Sequence, residues 1–488
     1  MRVNLGIIKG WGVFQRPFAL LLLLAATGAG GPDVYAQFRI WGEIREKLQF
    51  RDGYHRLKGP EDKGFVVNAQ RTRLGLEFEK NNLGFVLTVE DARIWGESKD
   101  NRSEAGFGLS SAYFFINFCQ RFTFDIGRRP LDYDDGRYMT GPGWGDVTKA
   151  VDALMFKYRS LDLKTKADIG FSLSNNYGHV DFLTTYTVDW FKYYVWAWTS
   201  REFGNRDLVW TLLYAQDVNQ RKPFPGNGAE VPEPGSRLVN RYTVGTYFYL
   251  FQDRPVNGLV YGYGQWGKNA FGQRLNAYLA SVQLKYRPHP KWEFVAAYDF
   301  ISGNDYSRPD YADGHRSQTF DRFLGARHGV LGDMDYFNVR GADDLTQGTG
   351  LHQPYLRLYY RPHPKHRIEL SGRYFALVQP YVIDKSGTSD AVTPAGYTRL
   401  PRSLGGEMDL HYRYDVFEDF WVRAGYSVML PTATMERLSG IAPGDSRFSH
   451  FAYVVLTYKP VLFDSERHTA RRAEKAAQAI RAAQALIK

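Results

Sequence analysis

The sequence predicts an all-β fold, a transmembrane antiparallel β-barrel of about 18 strands, on three observations. Stretch after stretch alternates apolar and polar side chains, the period-two pattern of strands with two unlike faces. Beyond the N-terminal leader, no run reaches the roughly 18 consecutive apolar residues of a membrane helix, and the mean hydropathy is negative. Long polar loops and short turns alternate along the chain, so that an even strand number puts every long loop on one side. A soluble β-sandwich has no reason to sort its loops this way.

The leader comes first. Arg2, Lys9 and Arg16 precede an apolar run from Phe18 to Ala26, and Val34-Tyr35-Ala36 offers a cleavage site. This is the layout of a secretory signal peptide over residues 1–36. Its removal takes three bases and one acid and lowers the formal charge from +10 to +8. That modest excess favours acidic partners only weakly and suggests no nucleic-acid partner. Cys119 is alone, so no intrachain disulfide holds the fold.

The barrel is expected over residues 37–460. Phe38, Ile40, Ile44, Leu48 and Phe50 share one face of the first strand; Arg39, Glu43, Arg45, Lys47 and Gln49 share the other. The second sets Leu74, Leu76 and Phe78 against Arg71, Arg73 and Glu77. Phe122, Phe124 and Ile126 alternate with Thr123, Asp125, Gly127 and Arg129; a loop from Pro130 to Ala150 follows and is expected to sit over the mouth. Alternation then resumes at Leu154, Phe156 and Tyr158. Further short turns are expected near residues 160–163, 201–207, 252–257, 287–291, 361–365 and 415–419. Long loops fall near 174–185, 219–236, 267–272, 303–350, 379–402 and 431–449. Tyr286 to Lys291 and Tyr360 to Lys365 repeat one Pro-rich hexapeptide; both read as turns, because proline cannot donate to a ladder. Tyr278, Tyr286, Trp292, Tyr298, Tyr412, Tyr414 and Tyr426 lie on apolar faces near strand ends, where rings with polar tips suit a headgroup zone. Residues 461–488, rich in Ala, Arg, Lys and Gln, read as a basic helical periplasmic tail, capped at Asp464 or Ser465. It is either a solvated helix or a contact for a periplasmic partner or the cell wall.

If the apolar rows face outer-membrane lipid, the polar alternates face inward. They include Arg39, Arg45, Lys47, Arg71, Arg73, Arg129, Lys157, Arg241, Arg357, Arg373, Arg413 and Arg423, interspersed with acids such as Glu43, Asp125, Glu369, Glu407 and Asp409. Arginine's planar fork grips carboxylates in two hydrogen bonds, so a chain of such sites could pass an anion along a water-filled lumen. Equally, these charges could pair with one another and brace the wall. Catalytic chemistry finds little support: Gly-x-Ser-x-Gly, Walker and His-Glu-x-x-His patterns are absent, so no enzyme is expected. No cofactor is expected. His289 and His363 lie in Pro-flanked turns without a second ligand. The acidic pairs Asp134-Asp135, Asp343-Asp344 and Asp333/Asp335 read as solvated loops or as calcium ligands on the outer side, and no metal site is assigned.

Several blocks resemble the alginate-export family of outer-membrane porins: Phe124 to Arg129, Asp135-Gly136-Arg137, Trp144, Val151 to Leu154, Ser302 to Asp305, Thr319 to Asp321, Gly325 with His328, Gly332 to Phe337, and Gly406 to Leu410. They spread over most of the mature chain. The resemblance implies an arginine-rich barrel for an anionic polysaccharide, with Arg128, Arg129, Arg137 and Asp152 in the pore or its gating loop. Arg129 replaces the family's usual Gln, and Val151 its Phe. The expected function is a passive channel for anionic polysaccharide or sugar-like anionic solutes; the alternative is a structural or docking barrel plugged by its loops.

Overall fold

The computed structural model describes residues 36–96, 106–141, 143–174, 191–221, 238–312, 314–326, 328–337, 345–384 and 397–466. Its frame is one closed antiparallel barrel of 18 strands. These are β1 (Gln37–Asp52), β2 (Phe65–Lys80), β3 (Leu83–Ile94), β4 (Gly106–Cys119), β5 (Phe122–Arg129), β6 (Val151–Arg159), β7 (Thr165–Leu173), β8 (Tyr193–Phe203) and β9 (Leu208–Gln220). The second half comprises β10 (Leu238–Leu250), β11 (Val256–Lys268), β12 (Arg274–His289), β13 (Trp292–Ile301), β14 (Leu351–Tyr360), β15 (His366–Leu377), β16 (Ser403–Asp415), β17 (Phe420–Pro431) and β18 (Ser449–Tyr458). Each strand pairs with the next, and β18 returns to β1 with Ile44 opposite Tyr458, which removes every free edge. The long connections all open on one rim and the short turns on the other, as the loop rhythm requires.

Alternation decides what faces where. On β1, Glu43, Arg45, Lys47 and Gln49 are buried inside, while Ile44 and Leu48 are about half exposed on the outside. Leu356, Leu284 and Phe294 project outward in the same way. Apolar side out and charged side in suits a lipid exterior, where each backbone polar group must find a partner within the sheet. Trp292 stacks on Tyr360 outside the short-turn rim, at 4.1 Å between ring centroids, and Tyr278, Tyr298 and Tyr426 are also exposed outside.

Two local expectations need correction. The second Pro-rich hexapeptide is a turn, but in the first the strand runs on to His289, with a register shift between Tyr286 and His289. A bulge at the strand end accommodates Pro288, since its missing N–H then faces no partner. Likewise, Val461–Asp464 is not helix: it extends the seam along β1, with Arg39 opposite Asp464. Asp464 does cap the turn beyond it, its carboxylate accepting from the Glu466 N–H at 3.0 Å. The remaining tail, 467–488, the leader, 1–35, and the Asp343-Asp344 pair lie outside the described residues.

The lumen is not lined by polar residues all round. Tyr194, Trp196, Tyr247, Tyr261 and Tyr263 point inward from β8, β10 and β11 and are almost wholly buried. Two loops fold onto them, the first over 130–150 and the second over 302–350. Neither sits over the mouth. They pair with each other inside the barrel: Met139 bridges Leu324, and the Ala326 N–H donates to Gly136 O at 2.8 Å. Leu131, Tyr133, Tyr138, Phe320 and Phe323 join the wall tyrosines in one apolar core. Most of the buried hydroxyls find partners, Tyr138 on Thr243 at 3.1 Å, Tyr247 on Asp135 at 2.6 Å and Tyr133 on Asp168 at 3.1 Å, while that of Tyr261 has none among the described residues. The second loop has a pinched neck, because a Cβ on Gly303 would come within 1.9 Å of the Thr349 backbone. Such a neck admits glycine alone, and it aims the loop inward.

Candidate functional site

Most of the expected inward charges are braces. Arg71 pairs with Glu43 at 2.6 Å and donates to Gly145 O at 3.1 Å. Arg73 pairs with Glu90 at 2.6 Å. Arg45 donates to Gly143 O and Gly145 O and meets Asp146 at 2.6 Å; Lys47 reaches Asp146 at 2.9 Å and Trp144 O at 3.1 Å. Thus β1 and β2 hold the first inward loop by its backbone carbonyls. Arg129 and Lys157 both pair with Asp125, and Arg129 lies 4.8 Å over the Tyr113 ring. Arg137, at the tip of that loop, is buried and meets Asp299 of β13 at 2.9 Å. Burial opposes its charge, but Asp299, Tyr261 and Asp135 outweigh that and raise its pKa. Arg241 joins Asp217 of the wall to Asp321 of the second loop.

Two residues carried over from the family resemblance face the wrong way for a pore. Arg128 shares the outward row of Phe124 and Ile126, and it pairs with Asp152 at 3.1 Å outside the barrel. Alternation places Asp152 outward too, between buried Val151 and Ala153. Arg39 does point inward, but at the short-turn rim, half exposed beside Glu77 at 3.7 Å.

The remaining arginines converge. Arg357 of β14, Arg367 and Arg373 of β15, Arg413 of β16 and Arg423 of β17 line one cavity of about 360 Å³ in the short-turn half of the lumen. Trp144 and His328, from the two inward loops, stack at 3.8 Å and roof it together with Gly329 and Asp333. Each guanidinium has a different degree of commitment. Arg373 meets Asp409 at 3.1 Å and Gly329 O at 3.3 Å. Arg357 and Arg367 stand 3.8 and 3.9 Å from Glu369, beyond hydrogen-bond reach. Arg413 pairs with Asp415 at 2.8 Å. Arg423 forms no ion pair or hydrogen bond among the described residues. Buried nitrogens of Arg357, Arg373 and Arg423 lack hydrogen-bond acceptors, and buried donors left so are expensive. The arrangement can therefore take up an anion with several oxygens, gripped from three strands at once.

The roof is an ion cage. His328 is buried with Nδ1 2.8 Å from Asp335 and Nε2 3.4 Å from Asp333. Burial alone would depress its pKa; the two carboxylates push it up to about 10. The acidic pair Asp333/Asp335 is thus inside the lumen, not on the outer side.

Arg367 was legible but omitted: it shares the inward row of Glu369 and Arg373. Trp144 and His328 stand out only as members of the family-like blocks, with no role attached, because alternation does not reach into loops, and Tyr453 comes from a strand whose alternate residues give no hint of what they meet.

No family model and no curated relative matches this chain. Solved structures do match its fold. Acinetobacter baumannii OccAB4 aligns with a TM-score of 0.56 at 10% identity, covering 88% of this chain and 100% of that one. Pseudomonas aeruginosa OccK11 (OpdR) gives 0.53 at 11%, covering 87% and 96%. The Pseudomonas aeruginosa outer membrane protein OpdK gives 0.53 at 9%, covering 87% and 98%. At such identities the likeness is one of fold, the closed 18-strand outer-membrane barrel.

Proposed function

We propose that this protein is a porin-like channel of the Gram-negative outer membrane, passing small anionic solutes, with outer-membrane lipid as its surroundings. The cavity carries the reading: five guanidiniums converge on it, and three hold buried nitrogens without acceptors. A row of donors broken by Glu369 and Asp333 attracts an anion without trapping it. The fold neighbours and the outward apolar rows support the location; cleavage after Ala36 would provide the export route. The resemblance to alginate-export barrels adds uronate-like carboxylates to the candidate solutes. A polymer fits less well, because both inward loops stand between the cavity and the long-loop rim.

A second reading, a plugged docking barrel, draws on the interlocking of those loops around Met139 and Leu324. Planar-bilayer recording separates the two. The channel reading expects steady conductance with anion preference, and Arg423→Glu should lower that preference at unchanged folding. Silent bilayers containing correctly folded protein would favour the plug.

A further inference from the structure

On the wall of the arginine cavity, Asp333 of the second inward loop meets Asp409 and His411 of β16, each offering a ligand atom within 4.8 Å of the others. His411 Nε2 stands 3.4 Å from Asp333 Oδ2. That is long for an N–H···O bond, but it matches the edge of a tetrahedron with metal–ligand arms of about 2.1 Å. The other nitrogen, Nδ1, sits 2.9 Å from the Tyr453 hydroxyl, which orients the ring as partners of metal-bound imidazoles do.

A second observation points to a missing cation. Asp409 is wholly buried; Ser371 and Arg373 occupy its Oδ2, while Oδ1 has no hydrogen-bond partner. Glu407 lies on the same inward row and is equally buried. Its Oε1 accepts from the Asp333 and Met334 N–H groups, while its Oε2 has none. Asp333, Glu407 and Asp409 thus crowd together, with Arg373 on Asp409 and His328 on Asp333. A divalent ion seated between Asp333 and Asp409 would give Asp409 Oδ1 the partner it lacks among the described residues.

We propose that Asp333, Asp409 and His411 bind a divalent transition-type cation, such as Zn²⁺, that staples the second inward loop to the barrel wall. An imidazole beside two carboxylates suits this class; calcium takes six to eight oxygens and no nitrogen. The staple is independent of which solute the channel passes.

The test uses full-length protein in detergent, stripped with chelator and titrated with Zn²⁺ by calorimetry, with metal content read by mass spectrometry. Expected are one saturable Zn²⁺ per chain, a raised unfolding temperature, and affinity losses on the order of tenfold or more in both Asp409→Asn and His411→Ala. His411 is half-buried, so the second variant remains informative if the first fails to fold. Absence of saturable binding, binding unchanged in folded His411→Ala, or equal displacement by Ca²⁺ would overturn the proposal. Bilayer conductance of the stripped protein is a separate reading, so failure of the staple leaves the channel question untouched.

Discussion

Two arginine clusters face the same lumen and differ in what they have been given to hold. On β1 and β2, Arg45, Arg71 and Arg73 meet Asp146, Glu43 and Glu90 at 2.6 Å, and the carbonyls of the first inward loop take further donors. On β14 to β17, Arg357 stands 3.8 Å from its acid and Arg423 has no ion partner among the described residues. Both clusters arise from one alternating pattern. Every guanidinium of the first meets a carboxylate at close range, although Arg45 Nε too lacks an acceptor, while in the second Arg357 and Arg423 stay uncommitted beside a cavity. Inward charge is therefore not the same as available charge; availability depends on whether a loop reaches it.

The largest expected effect breaks the first cluster. Arg71→Ala leaves buried Glu43 with only the more distant Arg73, at 3.8 Å, and should destabilise the barrel by about 3 kcal/mol in reversible urea unfolding. Arg423→Ala removes a buried charge without an ion partner among the described residues and should leave stability unchanged or slightly raised in the same assay. Equal losses would erase the distinction between brace and site. The same contrast revises an expectation from sequence: reversing Arg71, Arg73 or Arg129 should chiefly cost folding rather than anion preference.

A smaller effect tests the aromatic half. Asp134, in the first inward loop, is within reach of the Trp198 indole N–H at 3.2 Å, and burial raises its pKa from 3.8 to about 6. A raised folded pKa means stability fully present below about 3.8 and lost as pH rises through about 6. Limited proteolysis of the 130–150 loop should accordingly be slower at pH 5 than at pH 7.5, and Asp134→Asn should flatten that difference. The arginine cavity should bind anions alike at both values.

The smallest effect is on the outer face. Arg128 and Asp152 form an exposed pair, worth less than about 1 kcal/mol. Arg128→Ala should leave both unfolding and ion selectivity nearly as in wild type. A clear shift in selectivity would mean that the pair belongs to the pore after all.

Strand number, the sorting of loops to two rims and the face of each charged residue were legible in the chain, because a period of two is a local property. Glu43, Arg45 and Lys47 needed only their neighbours to be placed inside. The site was legible in part: Arg357, Arg373, Arg413 and Arg423 were named, but no pattern separated them from Arg45 or Arg71. The carry-over of Arg128 and Asp152 failed for a physical reason, since their own parity along β5 and β6 already turned them outward.

By itself, then, the order of residues determined a closed sheet with apolar rows outside and charged rows within, since backbone pairing and side-chain alternation act over adjacent positions. Only the tertiary structure decided that the loops at 130–150 and 302–350 turn inward, that Trp144 meets His328, and that one cluster of arginines is capped while the other borders a cavity. Those outcomes depend on contacts between residues more than a hundred positions apart, where packing volume and charge pairing choose among many loop paths that the local pattern leaves equal.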